Sequence, residues 1–191
     1  MSAPEFPYLT KVKAFSILME KINVYDLRKV SRLSPVKCAD FSEAAAVCLD
    51  YHRHPQKVLL TVEGDLSGQF QLAWETVTQQ MKNSRKDMEY TVESGAYCIA
   101  MLVVEKLTGL SVEKQSQKRT GFDYWLGKED GFGLQNKARL EVSGILEGSK
   151  AQINQRLREK MKQTEKSDNL NLPAYVVIVE FSRPLVKIKK R

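Results

Sequence analysis

Gly121-Phe122-Asp123-Tyr124-Trp125-Leu126-Gly127 and Ala138-Arg139-Leu140-Glu141-Val142-Ser143-Gly144 decide how this chain reads. Each run sets one acid among apolar residues of strand-like composition. Between them lies Lys128-Glu129-Asp130-Gly131-Phe132-Gly133, whose glycines permit a tight reversal. The two runs therefore read as the arms of a hairpin that brings Asp123 and Glu141 to one edge of a sheet. Acids are usually excluded from half-buried strands, so the placement needs a cause. Two causes fit: a solvated face of an antiparallel pair, or two carboxylates set to hold a divalent cation.

The chain has 191 residues, 42% of them hydrophobic and 28% charged, which suits one substantial core with an accessory layer. No apolar run of about 18 residues occurs, which excludes a membrane-spanning helix. The opening Met1-Ser2-Ala3-Pro4-Glu5-Phe6 lacks the basic-then-apolar plan of a secretion signal. Cys38, Cys48 and Cys98 form no CxxC pair and read as reduced, packed thiols, so the expected location is cytoplasmic and a structural zinc site is not expected.

The net charge of +7 is concentrated toward the C-terminal side. Arg183, Lys187, Lys189, Lys190 and Arg191 follow Phe181 with no acid among them, and Lys150, Arg156, Arg158, Lys160, Lys162 and Lys166 follow Gly148. Such a concentration attracts a polyanion, although basic ends are often only solvated. A nucleic-acid partner, DNA in particular, is one expectation, carried by Arg156, Arg158, Lys162, Arg183, Lys187, Lys189, Lys190 and Arg191. A protein partner is the other.

Outward from the hairpin, Leu9, Val12, Phe15, Leu18 and Ile22 recur at helical steps over Tyr8 to Ile22. Pro35 interrupts any helix before a capping box, Asp40 with Glu43, opens one that runs to Tyr51. Val58 to Val62 reads as a buried strand. Phe70, Ala73, Trp74, Val77 and Met81 return to helical spacing. Val92 to Leu107 forms a longer helix closed by Gly109. Val112 to Leu126 and Leu134 to Leu146 are the hairpin arms, a polar helix runs from Ser149 to about Lys166, and Ala174 to Phe181 reads as a central strand. This divides the chain into a helix-rich portion with one strand over 1–86, an α/β core over 87–182 and a basic tail over 183–191.

Helix, hairpin strand with Asp123, strand with Glu141, helix, strand: this order resembles the core of the PD-(D/E)XK phosphodiesterase superfamily, the restriction-endonuclease-like fold. The resemblance covers roughly Val92 to Phe181 and implies an α/β fold with an α-β-β-α-β core and an N-terminal helix-rich extension. It implies magnesium held by Asp123 and Glu141, with an assisting acid on the preceding helix, for which Glu93 is the candidate. Glu93 also fits a plain helix-dipole role. A lysine two residues after the second acid completes that family's pattern, and here Ser143 stands in its place. Lys137, on the strand face of Glu141 by parity, or Lys150, at the start of the next helix, is the expected substitute. Gln152 and Gln155 are further groups able to reach a phosphate or a water.

The function so implied is magnesium-dependent hydrolysis of DNA by a nuclease-like protein. The alternative is a catalytically inactive α/β binding protein that uses the same fold as a scaffold. Other constellations carry less. Tyr124 and Trp125 read as strand aromatics of the core, or as stacking surfaces for bases. His52 and His54 read as a helix-end cap and a surface residue. No nucleophilic serine elbow or Cys/His pair is evident.

Overall fold

The computed structural model describes residues 19–130 and 133–191, with side chains described outside 129–136. Its described residues form a mixed α/β fold with one eight-stranded sheet. The strands are β1 (Lys21–Asn23), β2 (Val58–Gly64), β3 (Gly68–Ala73), β4 (Ser111–Gln115), β5 (Tyr124–Asp130), β6 (Gly133–Ile145), β7 (Ala174–Glu180) and β8 (Leu185–Lys190). They lie in the order β1-β3-β2-β8-β7-β6-β5-β4. The helices are α1 (Leu27–Val30), α2 (Pro35–Tyr51), α3 (Gln79–Ser84), α4 (Met88–Thr108) and α5 (Lys150–Thr164).

The functional half of the sheet follows α4 as an antiparallel meander, β4 to β5 to β6, after which α5 crosses over to place β7 parallel to β6. A parallel pair needs such a crossover, and a helix supplies it. All seven residues of β7 are buried, because the strand is covered on both faces. Tyr175, Val177 and Val179 join the main core beneath α4, whereas Val176 and Ile178 point to the side that α5 covers.

Helix α4 is built to lie in the core. Asp87 caps its start by accepting from Tyr90 N–H at 3.2 Å, and Gly109 ends it with a left-handed φ of 68°. It packs against α2 on one side and β6 on the other. Gly95 faces the backbone of Ala45, and Gly144 of β6 faces Val92. These two approaches seat the first half of α4 directly over the end of β6.

Several expectations change. Residues 68–73 form strand β3, not part of a helix: Phe70 and Leu72 are buried in alternation, and the hairpin from β2 positions them. The helical spacing that continues to Met81 is coincidental there. Helix α2 begins at Pro35, with Ser34 as its cap. Proline at the first helical position starts a helix instead of breaking it. Asp40 and Glu43 lie inside α2 and accept from Arg85 at 2.6 Å and 3.1 Å. The helix expected over Tyr8 to Ile22 falls mostly outside the described residues, and Lys21 and Ile22 belong to β1. The single arm expected over Val112 to Leu126 is two antiparallel strands, β4 and the start of β5. The basic tail is strand β8, placed between β2 and β7, with Val186 and Ile188 fully buried in alternation with Lys187 and Lys189. Among the described residues, 19–86 are thus not merely an extension of the core: β2 and β3 share its sheet.

Gly144 gives a test of the α4–β6 approach. A Cβ there would fall 2.5 Å from Val92 O and 2.6 Å from Val92 Cγ1. Gly144→Ala is expected to lower stability by about 1–3 kcal/mol, read as a reduced urea midpoint at unchanged slope.

Candidate active site

Strand β5 begins at Tyr124, opposite Leu140, so β6 runs on without it from Glu141 to Ile145. Asp123, the residue before β5, occupies the edge so exposed. Its N–H donates to Leu140 O at 2.9 Å, and its Oδ2 accepts from Val142 N–H at 2.9 Å. The carboxylate therefore satisfies a strand donor that has lost its neighbour. Side-chain alternation sends Leu140 and Val142 into the core under α4 and turns Arg139, Glu141 and Ser143 toward α5.

Glu141 is wholly buried. Its Oε1 accepts from Lys160 Nζ at 2.6 Å and from Gln163 Nε2 at 2.9 Å. Two residues along β6, Ser143 Oγ accepts from Arg156 Nη1 at 3.0 Å. Arg156, Lys160 and Gln163 are spaced by four and three positions, which places them on one face of α5. Ser149 fixes the rotation of that helix at its start, accepting from Gln152 N–H at 3.3 Å while Gln152 Oε1 accepts from Ser149 N–H at 2.7 Å. Ile153, one and two turns before Arg156 and Lys160, anchors the adjoining buried stripe.

The second oxygen of Glu141, Oε2, is buried and has no hydrogen-bond donor. The Asp123 carboxyl is close enough for its charge to act on the same group. Burial, and then the Asp123 charge, push Glu141 up to about 8, against the pull of Lys160. Burial also raises Asp123, opposed by its bond from Val142 N–H and by Lys160. The ion-pair distance alone suggests an ionised Glu141, but a dry carboxyl beside a second acid keeps its proton. Both carboxyls are thus displaced toward their protonated forms.

Glu93 stands on α4 beyond its first turn, where Glu89 is the acid nearest the helix start, so a helix-dipole role does not account for it. Its Oε1 accepts from Tyr97 O–H at 3.0 Å. Burial raises the Tyr97 phenol, and the charges of Asp123 and Glu93 add to the effect, so it stays a neutral donor. Glu93 also contributes to raising Asp123. Asp123, Glu141 and Glu93 therefore share one field. A cleft of about 810 Å³ opens between the start of α4, the end of β6 and α5, lined by Glu93, Ser143, Arg156 and Lys160 among others.

The cation beside Glu141 is neither of the two expected. Lys137 lies at the bulge between β5 and β6, four residues before Glu141 and about 13 Å away along the strand. Lys150 is the first residue of α5, about 15 Å along the helix from Lys160. Gln152 is engaged in the cap described above, and Gln155 Nε2 donates to Glu159 at 3.0 Å. Lys160 was visible only as one of many charges on a polar helix. The signal that finds it is its four- and three-residue spacing to Arg156 and Gln163, alongside the stripe of Ile153 and Leu157.

The basic residues separate in the same way. Arg156 lines the cleft, whereas Arg158 and Lys162 are two positions from Lys160 on either side and face outward. The cations of β8 and its flanks are paired: Arg183 with Glu180, Lys187 with Glu63, Lys189 with Asp65, and Arg191 with Glu165 and Asp168. Lys190 lies over the Tyr175 ring. Tyr124 is core, edge-on to Phe41 and Tyr97, and Trp125 packs on Phe122. His52 and His54 donate from Nε2 to Leu146 O and Phe181 O, both at 2.8 Å, and tie the end of α2 to the ends of β6 and β7. The three cysteines are buried and free. Among the described residues no helix is long and apolar enough to cross a membrane.

Glu141 Oε2, a buried carboxylate oxygen without a donor, is the kind of oxygen a hard cation takes. Among the described residues no three His, Cys, Asp or Glu side chains are close enough to form a complete cage. Magnesium does not require one, since one or two carboxylates with waters and phosphate suffice.

The raised Glu141 carboxyl is testable through stability. The folded state holds the Glu141 proton up to about pH 8, whereas the unfolded chain releases it near 4.5. Its stabilising contribution is therefore whole below pH 4.5 and is lost as pH rises to about 8. Subtracting the unfolding free energies of Glu141→Gln from those of wild type, in urea at a series of pH values, is expected to give a difference that falls across that window. A flat difference contradicts the raised carboxyl. No protein-family model, curated protein or solved structure matches this chain, so the site is read from its own chemistry.

Proposed function

We propose that the chain is a restriction-endonuclease-like protein that hydrolyses phosphodiester bonds of DNA with magnesium. The observation that carries this reading is the meeting of Asp123, Glu141 and Lys160 at the open edge of β6, with Lys160 Nζ 2.6 Å from Glu141. The succession of α4, a three-strand meander, a crossover helix and a parallel strand supports it. So does the departure at Ser143, because Lys160 brings a cation to the carboxylate from the next helix.

Asp123 and Glu141 would hold the cation, with Glu93 close by. Magnesium bound there supplies positive charge to a phosphate and makes a nearby water more acidic. Each residue then has a distinct task. Glu141 must yield its proton before it can act as a ligand, so metal affinity rises with pH toward 8. Lys160, 24% exposed and at the cleft wall, holds a fixed positive charge beside the carboxylates and can reach a phosphate oxygen or a water. Gln163 keeps the Glu141 oxygen oriented as Lys160 shifts. Arg156 places a guanidinium at Ser143, the position where the family's pattern has its lysine, and is suited to a bidentate grip on phosphate.

Wild-type protein is expected to nick DNA with magnesium or manganese, and Asp123→Asn and Glu141→Gln to abolish this. Lys160→Ala is expected to lower kcat on the order of a hundredfold. Adding Ser143→Lys to that variant is expected to recover part of the loss, because position 143 shares the strand face of Glu141. No metal-dependent cleavage by wild type overturns the hydrolase reading. Retained DNA binding in that case favours the inactive scaffold.

A further inference from the structure

A second cavity, of about 700 Å³, lies beside the cleft, and Met88 lines both. Its apolar part comes from Val47, Met88 and the ring of Tyr51, which is 59% exposed. Its rim is basic. Two of the cations there are neutralised: Arg85 is buried against Asp40 and Glu43, and Lys82 pairs with Asp50 at 2.6 Å. Arg53 and Lys86 are exposed and form no ion pair among the described residues.

Arg53 is presented, not merely present. It has a left-handed φ of 56°, uncommon for a residue with a side chain. His52 and His54 hold the backbone on either side of it by their bonds to Leu146 O and Phe181 O. The loop is therefore pinned to the sheet on both flanks while Arg53 projects into solvent. An apolar floor with an exposed aromatic ring beside two unpaired cations matches a flat ring joined to a phosphate. The volume is that of a small-ligand site.

We propose that this cavity seats one nucleotide of the strand whose phosphodiester lies in the neighbouring cleft: the base against Tyr51, Val47 and Met88, and the phosphate on Arg53 and Lys86. This rests on the phosphodiesterase reading of the cleft. It places the substrate path across Met88 and along the end of α2, away from the outward face of α5 and from β8. Stacking on one aromatic is tolerant of base identity, so the cavity fixes position with little sequence preference.

The test is titration of the full chain, in chelator and without metal, with thymidine 5′-monophosphate, thymidine and inorganic phosphate separately. Thymidine monophosphate is expected to bind saturably, at least about tenfold tighter than either fragment, since both halves of the cavity must be filled. Arg53→Gly, which tolerates the positive φ, combined with Lys86→Ala should weaken it by at least about tenfold. Arg28→Ala with Lys118→Ala, equal in charge and at exposed positions elsewhere, should leave it unchanged. Tyr51→Ala should weaken thymidine monophosphate and spare phosphate. Absence of saturable binding, affinity no better than that of phosphate, or indifference to the Arg53/Lys86 pair overturns the proposal. The readout needs no turnover. A protein that binds the mononucleotide but never cleaves DNA loses the hydrolase reading alone, and one that cleaves while the paired variant binds normally loses the cavity alone.

Discussion

A carboxyl group in the middle of a buried strand is costly to desolvate, and Glu141 has no solvent at all. The fold around it is arranged to meet that cost. Lys160 and Gln163 satisfy one oxygen from α5, and the Asp123 charge acts on the group from the start of β5. Three successive elements, β5, β6 and α5, must converge for this one group to be tolerated. The interaction is poor value as a source of stability, because an apolar residue at 141 would serve β6 better. A buried polar cluster that an apolar side chain could replace points to chemistry as its reason.

Helix α5 serves two surfaces at once. Its Ile153 stripe covers the outer face of β7, and the Arg156, Lys160, Gln163 face addresses β6. The crossover that makes β6 and β7 parallel thus also delivers the cations of the site. Architecture and chemistry are joined in one element, so a shift of α5 along its axis alters both. The capping box at Ser149 and the close seating of α4 on Gly144 hold the two walls of the cleft at their separation.

Much of the site was legible from residues alone. Period-two alternation put Glu141 and Ser143 on one face and Leu140 and Val142 on the other, and a single acid on each strand marked the pair. What escaped was contact between elements. Whether Lys160 or Lys150 meets Glu141 depends on how far α5 is rotated about its axis, and a polar helix with a thin apolar seam encodes that rotation weakly. Strand β3 was hidden because Phe70, Ala73, Trp74, Val77 and Met81 satisfy a helical period by accident, while the hairpin with β2 imposes alternation on Phe70 and Leu72. In β8 the lysines suggested a solvated end, yet Val186 and Ile188 alternate with Lys187 and Lys189. The acids that balance those lysines, Glu63 and Asp65, lie on or beside β2, far back in the chain.

Strand β8 has a consequence for how the molecule is made. In the sheet, β1, β3 and β2 meet β7, β6, β5 and β4 only through it. A ribosome emitting this chain completes both flanks before the joining strand emerges. Until residues 185–190 insert, the inner edges of β2 and β7 stand unpaired, each a template for another chain. Assembly is therefore slow and of high contact order, and nascent molecules are most exposed to misassociation just before the sheet is joined.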